Sequence, residues 1–160
     1  KLGFNIKEKY ISEGLKKTTW NGRLETIDYL NKKILVDCAH NYPAAKALSI
    51  ERSNWENEEE GIYWILGVQR QKDISAIVKT LIKKNDHLLL VPVPNQPSWR
   101  LKDLSDIQGI NSLKIIEFEN FKFAFNYLAN LQRWPSCHPV LTGSIFLVAE
   151  FIKLANNKKY

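Results

Sequence analysis

Hydrophobic and polar positions change period several times along the 160-residue chain. Arg23-Leu24-Glu25-Thr26-Ile27-Asp28-Tyr29 alternates, as a strand with one wet face does. Asn31-Lys32-Lys33 then turns the chain into the aliphatic run Ile34-Leu35-Val36, which ends at Asp37. So short a connection predicts an antiparallel hairpin. The near-continuous apolar runs Ile62–Val68 and His87–Val91 predict strands covered on both faces. Leu113–Phe118 and Val140-Leu141-Thr142 complete the set of strands.

Helical spacing fills the intervals. A helix is expected from Pro43 to about Ser53, with Ala44, Ala47 and Leu48 inward and Pro at an allowed first-turn position. Ile74, Ile77, Val78, Leu81 and Ile82 recur at the 3.6-residue period, the clearest helix of the chain. The Pro-rich loop Pro92–Pro97 leads to a short helix near Lys102–Ile107, and Phe121, Ala124, Phe125, Leu128 and Leu131 line one face of another. Ile145–Ala155 is apolar on almost every side and is expected to be deeply packed. Alternating strands and helices require a mainly parallel sheet between helical layers. The fold class is therefore α/β: a Rossmann-like three-layer domain with one leading antiparallel strand.

That domain is placed at residues 18–160. Residues 1–17 carry Ile6, Tyr10, Ile11 and Leu15 at roughly helical spacing, a short helix that needs another body to pack against. It reads as the tail of a preceding domain, with a linker around Lys16-Lys17-Thr18-Thr19. The chain contains no methionine and starts at Lys1, so it is expected to be a piece of something longer.

Composition narrows the function classes. An apolar fraction of 44% with 25% charged residues is that of an ordinary globular protein. No run approaches the roughly 20 apolar residues of a membrane span. Cys38 and Cys137 form neither a disulfide framework nor a metal-spacing motif, so free thiols and a cytoplasmic location are expected. The net charge of +6 is spread among lysines that often neighbour acids, without the basic stripe of a nucleic-acid binder. Glu56-Asn57-Glu58-Glu59-Glu60 reads as a solvated loop. No partner nucleic acid or membrane is expected, and a monomer is.

The chemistry is concentrated where the strand Ile34–Val36 ends, in Asp37-Cys38-Ala39-His40-Asn41-Tyr42-Pro43. Ligands of open α/β sheets bind at such strand ends, beside helix N-termini. Each polar residue has two readings. Asp37 accepts hydrogen bonds from a ribose diol or caps the next helix; His40 is a structural histidine or a ligand contact. Arg23, after Trp20-Asn21-Gly22, forks onto a phosphate or pairs with Glu25. Asp73 of Lys72-Asp73 caps the following helix. Ser144, after Gly143, caps the last helix or helps form a carboxylate site. There is no G-x-G-x-x-G fingerprint and no P-loop, so phosphates would be held by isolated cations or by something outside this chain. No metal cluster and no Ser-His-Asp order emerges, and no catalytic residue is assigned within the chain.

In order and spacing, Trp20-Asn21-Gly22-Arg23-Leu24-Glu25, Asp37-Cys38-Ala39-His40-Asn41, Gly67 with Lys72-Asp73, and Leu141-Thr142-Gly143-Ser144 resemble the C-terminal domain of folylpolyglutamate synthase and dihydrofolate synthase, relatives of the Mur ligases. The resemblance covers residues 18 to about 155. It implies an ATP-dependent ligase that phosphorylates a folate or dihydropteroate carboxylate and lets the amine of L-glutamate attack the acyl phosphate. It also implies that ATP and Mg²⁺ are used, with the P-loop and metal ligands in a central domain absent here. The isolated fragment would be inactive. By the same resemblance Arg23 and Asp37 are ATP-binding and His40 and Ser144 glutamate-binding, while Asn41, Lys72 and Asp73 match without an assigned role. Cys38 stands where the family has Gly, Tyr42 where it has Pro, and Asn21 where Pro is common. A positive φ at position 38 would strain Cys38. The competing readings are another Mur-type amino-acid ligase domain and a non-catalytic anion-binding module.

Overall fold

The computed structural model describes residues 6–18, 20–105, 107 and 109–157. Its leading hairpin pairs β1 (Glu25–Tyr29) with β2 (Lys32–Val36), and the register Tyr29↔Lys32 leaves a two-residue turn. Leu30 and Asn31 both take positive φ there, 52° and 60°. This is the left-handed turn whose twist matches that of the strands it joins.

The remaining strands are β3 (Tyr63–Leu66), β4 (His87–Leu90), β5 (Lys114–Glu117) and β6 (Val140–Thr142). They form one sheet in the order β1-β2-β6-β3-β4-β5, parallel everywhere except at β1. The last strand thus returns to the middle, between β2 and β3. The expected Rossmann-like α/β architecture is present.

Side chains alternate across the sheet and so build two cores. On one face Trp64 and Leu66 meet α2 (Tyr42–Arg52) and α3 (Ile74–Leu81) through Ala45, Leu48, Ile77 and Leu81. On the other face Ile65 and Leu89 meet α4 (Phe121–Ala129) and α5 (Ile145–Asn156) through Phe125, Leu147 and Phe151. Tyr29 of β1 completes that core, packed edge-on against Phe121, Phe125 and Phe151. Short 3₁₀ turns at Glu58–Glu60, Leu101–Asp103 and Ile110–Ser112 complete the elements. The helix expected at 102–107 is only the second of these, and Asp106 lies outside the described residues.

Three expectations need correction. The inner face of α2 is Ala45, Leu48 and Arg52, while Ala47 is exposed, because a buried arginine rather than a third alanine completes the stripe. The helix α5 is not covered all round: Ile145 and Phe146 are about half exposed at its start. Nor is the acidic run merely solvated. Glu58 accepts from Arg52 Nε at 2.8 Å and from Lys83 Nζ at 3.0 Å.

Arg52 is 1% exposed and Asp86 fully buried. Asp86 accepts from both terminal guanidinium nitrogens (2.6 and 2.8 Å), the Trp64 indole (3.0 Å), and the Ile62 and Lys83 backbone N–H groups (2.9 and 2.7 Å). This knot ties the end of α2 to the amino ends of β3 and β4.

Ile6, just before the leading helix α1 (Glu8–Lys17), and Tyr10, Ile11 and Leu15 within it are exposed. No helix among the described residues is long and apolar enough to cross a membrane.

Candidate functional site

The site is assembled at the carboxyl ends of β2, β6 and β3, where backbone approaches backbone. Gly143 follows β6 at φ 100°, and a Cβ there would lie 2.5 Å from the Gly67 carbonyl oxygen. Only glycine permits both the conformation and the contact. Gly143 N–H donates to the Ala39 carbonyl (3.0 Å), and the buried Thr142 hydroxyl points to the same oxygen (3.3 Å). The loops after β2, β3 and β6 therefore form one continuous rim.

The Trp20–Leu24 turn is locked onto that rim. Gly22, at φ 75°, donates to the Glu25 carboxylate at 2.7 Å, and an added Cβ would meet Val148 at 2.7 Å. Leu24 takes φ 44°, a conformation that is strained for a residue with a branched side chain. Its N–H donates to Asp37 Oδ2 at 3.1 Å, while Asp37 Oδ1 accepts from Ala39 N–H at 2.8 Å. Asp37 is thus no helix cap. It is a buried carboxylate that joins the turn to the loop after β2.

Arg23, between the two residues of positive φ, is held outward and exposed. Glu25 accepts from Gly22, and the surface pair Arg23–Glu25 does not form. Among the described residues Arg23 has no ion pair, and its guanidinium lies 5.7 Å from the Trp20 ring centroid. Trp20, itself 72% exposed, lines a groove of about 360 Å³ with Asn21, Arg23, Cys38, Ile145 and Val148.

Three of the other candidates are helix caps. Asn41 accepts from Ala44 N–H at 3.0 Å at the start of α2, and Asp73 from Ala76 N–H at 2.9 Å at the start of α3. Ser144 accepts from Phe146 N–H at 3.2 Å at the start of α5, and is only 2% exposed. Each satisfies an otherwise unpaired N–H of a first turn. His40 is half-buried, with Nδ1 2.8 Å from the Cys38 carbonyl. A carbonyl only accepts, so Nδ1 is the donor in this contact. Cys38 has no positive φ, so replacing glycine there causes no backbone strain. Burial raises the Cys38 thiol above the ordinary range, with Asp37 adding to the effect, and pushes Cys137 up to about 11. Both thiols are free.

Sequence reasoning missed the loop after β4. Trp99 donates its indole N–H to the Lys72 carbonyl at 2.9 Å, and Arg70 stacks 4.1 Å over the Trp99 ring. A tryptophan in a Pro-rich loop was the available signal. Among the described residues no cluster of His, Cys, Asp and Glu could hold a metal ion.

Compared with known families, residues 22–154 match the dihydrofolate synthetase C-terminal domain. The chain belongs to that family. A dihydrofolate synthase/folylpolyglutamate synthase of Buchnera aphidicola (subsp. Schizaphis graminum) is 27% identical over 164 residues, covering 98% of this chain and 36% of that protein. The domain therefore spans about a third of the length of the curated relatives it matches. The folylpolyglutamate synthase of Thermotoga maritima superposes with a TM-score of 0.70 at 24% identity, over 96% of this chain and 35% of that one. The bifunctional folylpolyglutamate synthase/dihydrofolate synthase of Yersinia pestis, solved with AMPPNP and a Mn ion, gives 0.72 at 16% identity, over 96% and 36%. At these identities the structures establish the shared fold, and the nucleotide and divalent metal are those of the Yersinia enzyme.

Proposed function

We propose that this domain forms part of the active site of a longer ATP-dependent ligase that joins L-glutamate to the carboxylate of a folate or dihydropteroate. The observation that carries the reading is Arg23. A glycine, a strained leucine and a buried aspartate together hold it out, and the guanidinium has no ion-pair partner among the described residues. Strain is maintained where the surroundings over-determine it, typically at a functional site. An outward guanidinium with five donors suits the phosphates of ATP.

Asp37 uses one lone pair of each oxygen on backbone N–H groups. A carboxylate has about four such sites, so it retains capacity for a ribose hydroxyl as well. His40, and Ser144 at the positive start of α5, lie on the glutamate side in this reading. Amide formation from an activated carboxylate needs charge neutralisation and positioning rather than a nucleophilic side chain, which accords with the absence of a triad. In this reading the P-loop and the Mg²⁺ ligands belong to a preceding domain; among the described residues no group of three or more His, Cys, Asp and Glu gathers to hold a metal ion. Closure of that domain would bring Arg23 to the reacting phosphate and make catalysis conditional on closure.

The test is ATP-dependent glutamate ligation by the full-length protein carrying Arg23→Ala, offered dihydropteroate and tetrahydrofolate separately. Loss of one guanidinium from a charge-stabilising site lowers kcat/KM by about 100-fold or more. Unchanged turnover removes Arg23 from the site, and the absence of glutamate addition in the wild type refutes the ligase reading. The preferred acceptor separates dihydrofolate synthase from folylpolyglutamate synthase.

A further inference from the structure

Two surface loops on the carboxyl rim are joined by more contacts than their exposure would require. Gln69 and Ser98 form an antiparallel bridge, and the Gln69 and Gln96 side chains pair at 3.0 Å. Arg70 N–H donates to the Pro97 carbonyl (2.9 Å), and Trp99 N–H to the Val68 carbonyl (3.0 Å). The Trp99 indole then donates to the Lys72 carbonyl while its ring carries Arg70, whose guanidinium reaches Asp103 at 2.7 Å. Ser98 stiffens the second loop, its hydroxyl accepting from Val93 N–H and donating to the Gln96 carbonyl.

The two cations of the first loop differ in consequence. Arg70 is neutralised by Asp103, whereas Lys72 has no ion pair among the described residues. The loop begins at Gly67, whose carbonyl packs against Gly143 of the site. Its last residue, Asp73, caps α3. The Lys72 backbone is thus fixed from both sides: α3 holds the following residue and Trp99 holds its own carbonyl.

We propose that Trp99 is a positioning residue for this ligase site. It does not itself touch substrate. It holds the Gln69–Asp73 loop so that the Lys72 ammonium is presented to an anionic group of a bound substrate. This rests on the ligase reading above. A carboxylate and a phosphate share the necessary chemistry, and the kinetics distinguish them. A preordered lysine binds more tightly because the ordering cost is not met at binding.

The test compares Trp99→Phe, Lys72→Met and the double variant in the full-length protein, with separate KM values for L-glutamate and MgATP. Phenylalanine keeps an aromatic ring beneath Arg70 but removes the N–H together with part of the indole's packing area. Trp99→Phe should raise one of the two KM values by about two- to tenfold, the range of a single neutral hydrogen bond, with kcat little changed. Lys72→Met should raise the same KM by about ten- to a hundredfold. The double variant should be no worse than Lys72→Met, because coupled residues are not additive. The KM that moves identifies the anion. Unchanged KM values in Trp99→Phe, or penalties that multiply in the double variant, overturn the proposal. Should Trp99→Phe fail to fold, amide exchange in the wild type decides: Arg70 N–H must be protected, and exchange at the rate of an open loop refutes the latch. A wild type without ligation strikes the ligase reading instead and leaves the exchange result to judge the latch.

Discussion

Arg52 and Arg23 lie at opposite ends of one sheet, and the fold treats them in opposite ways. Arg52 is sealed between α2 and the amino ends of β3 and β4, with each of its three guanidinium nitrogens matched to Glu58, Asp86 or the Leu81 carbonyl. Arg23 is held out at the carboxyl end between two residues of positive φ and makes no ion pair among the described residues. A buried charge must be fully paired, or desolvation makes it intolerable. An exposed charge needs no such partner and stays available to a ligand. The difference teaches how to separate the two kinds of charge here: the closed network belongs to the fold, and the open one is where we propose that a ligand is recognised.

The comparison breaks most readily at Asp86. Asp86→Ala leaves the Arg52 guanidinium buried without its main partner, and unfolding in urea should show a loss of about 3–5 kcal/mol. A loss below about 1 kcal/mol would mean that Arg52 reaches water and is not sealed at all. A smaller effect comes from Glu58. Hydrogen bonds from Lys83 and then Arg52 hold its carboxyl below the usual range of 4.5. A carboxyl depressed in the folded state stabilises above its unfolded pKa, and that contribution disappears as pH falls through the folded value. Stability should therefore decline from about pH 5 downward, and Glu58→Gln should flatten this slope. An equally steep acid limb in the variant would place the proton uptake elsewhere. Least affected should be Arg23→Ala, whose unfolding free energy in urea stays within about 0.5 kcal/mol of wild type. A larger drop would show that Arg23 is structural and that the two ends are more alike than they look.

Much of the architecture is written in local pattern. The period of β3, α3 and β4 was sufficient because those elements are buried by their own strict repeats of apolar residues. Where the pattern misled, one residue acted at long range. Arg52 replaced Ala47 as the third inward residue of α2 because Asp86, 34 positions away, receives it. Ile145 and Phe146 extend an apolar helix beyond the body that covers it, and a hydrophobic run cannot reveal where its cover ends.

The candidate site was readable in a different sense. The fold brings the Trp20–Glu25, Asp37–Asn41 and Gly143-Ser144 stretches to one rim, and Asn41, Asp73 and Ser144 are caps there, since short polar side chains at helix starts serve the nearest N–H first. Asp37 does not cap the next helix; it accepts the Leu24 N–H from 13 residues earlier, a contact that no local pattern announces.

Residue order alone settled the α/β alternation and the leading hairpin, for these depend on periodicity and turn chemistry along the chain, and its motifs carried the resemblance to the family. Which charges are closed and which are open was a matter for the folded molecule. Pairing across tens of residues, and the glycine-to-glycine contact that unites the rim, exist only once the sheet has brought distant loops together.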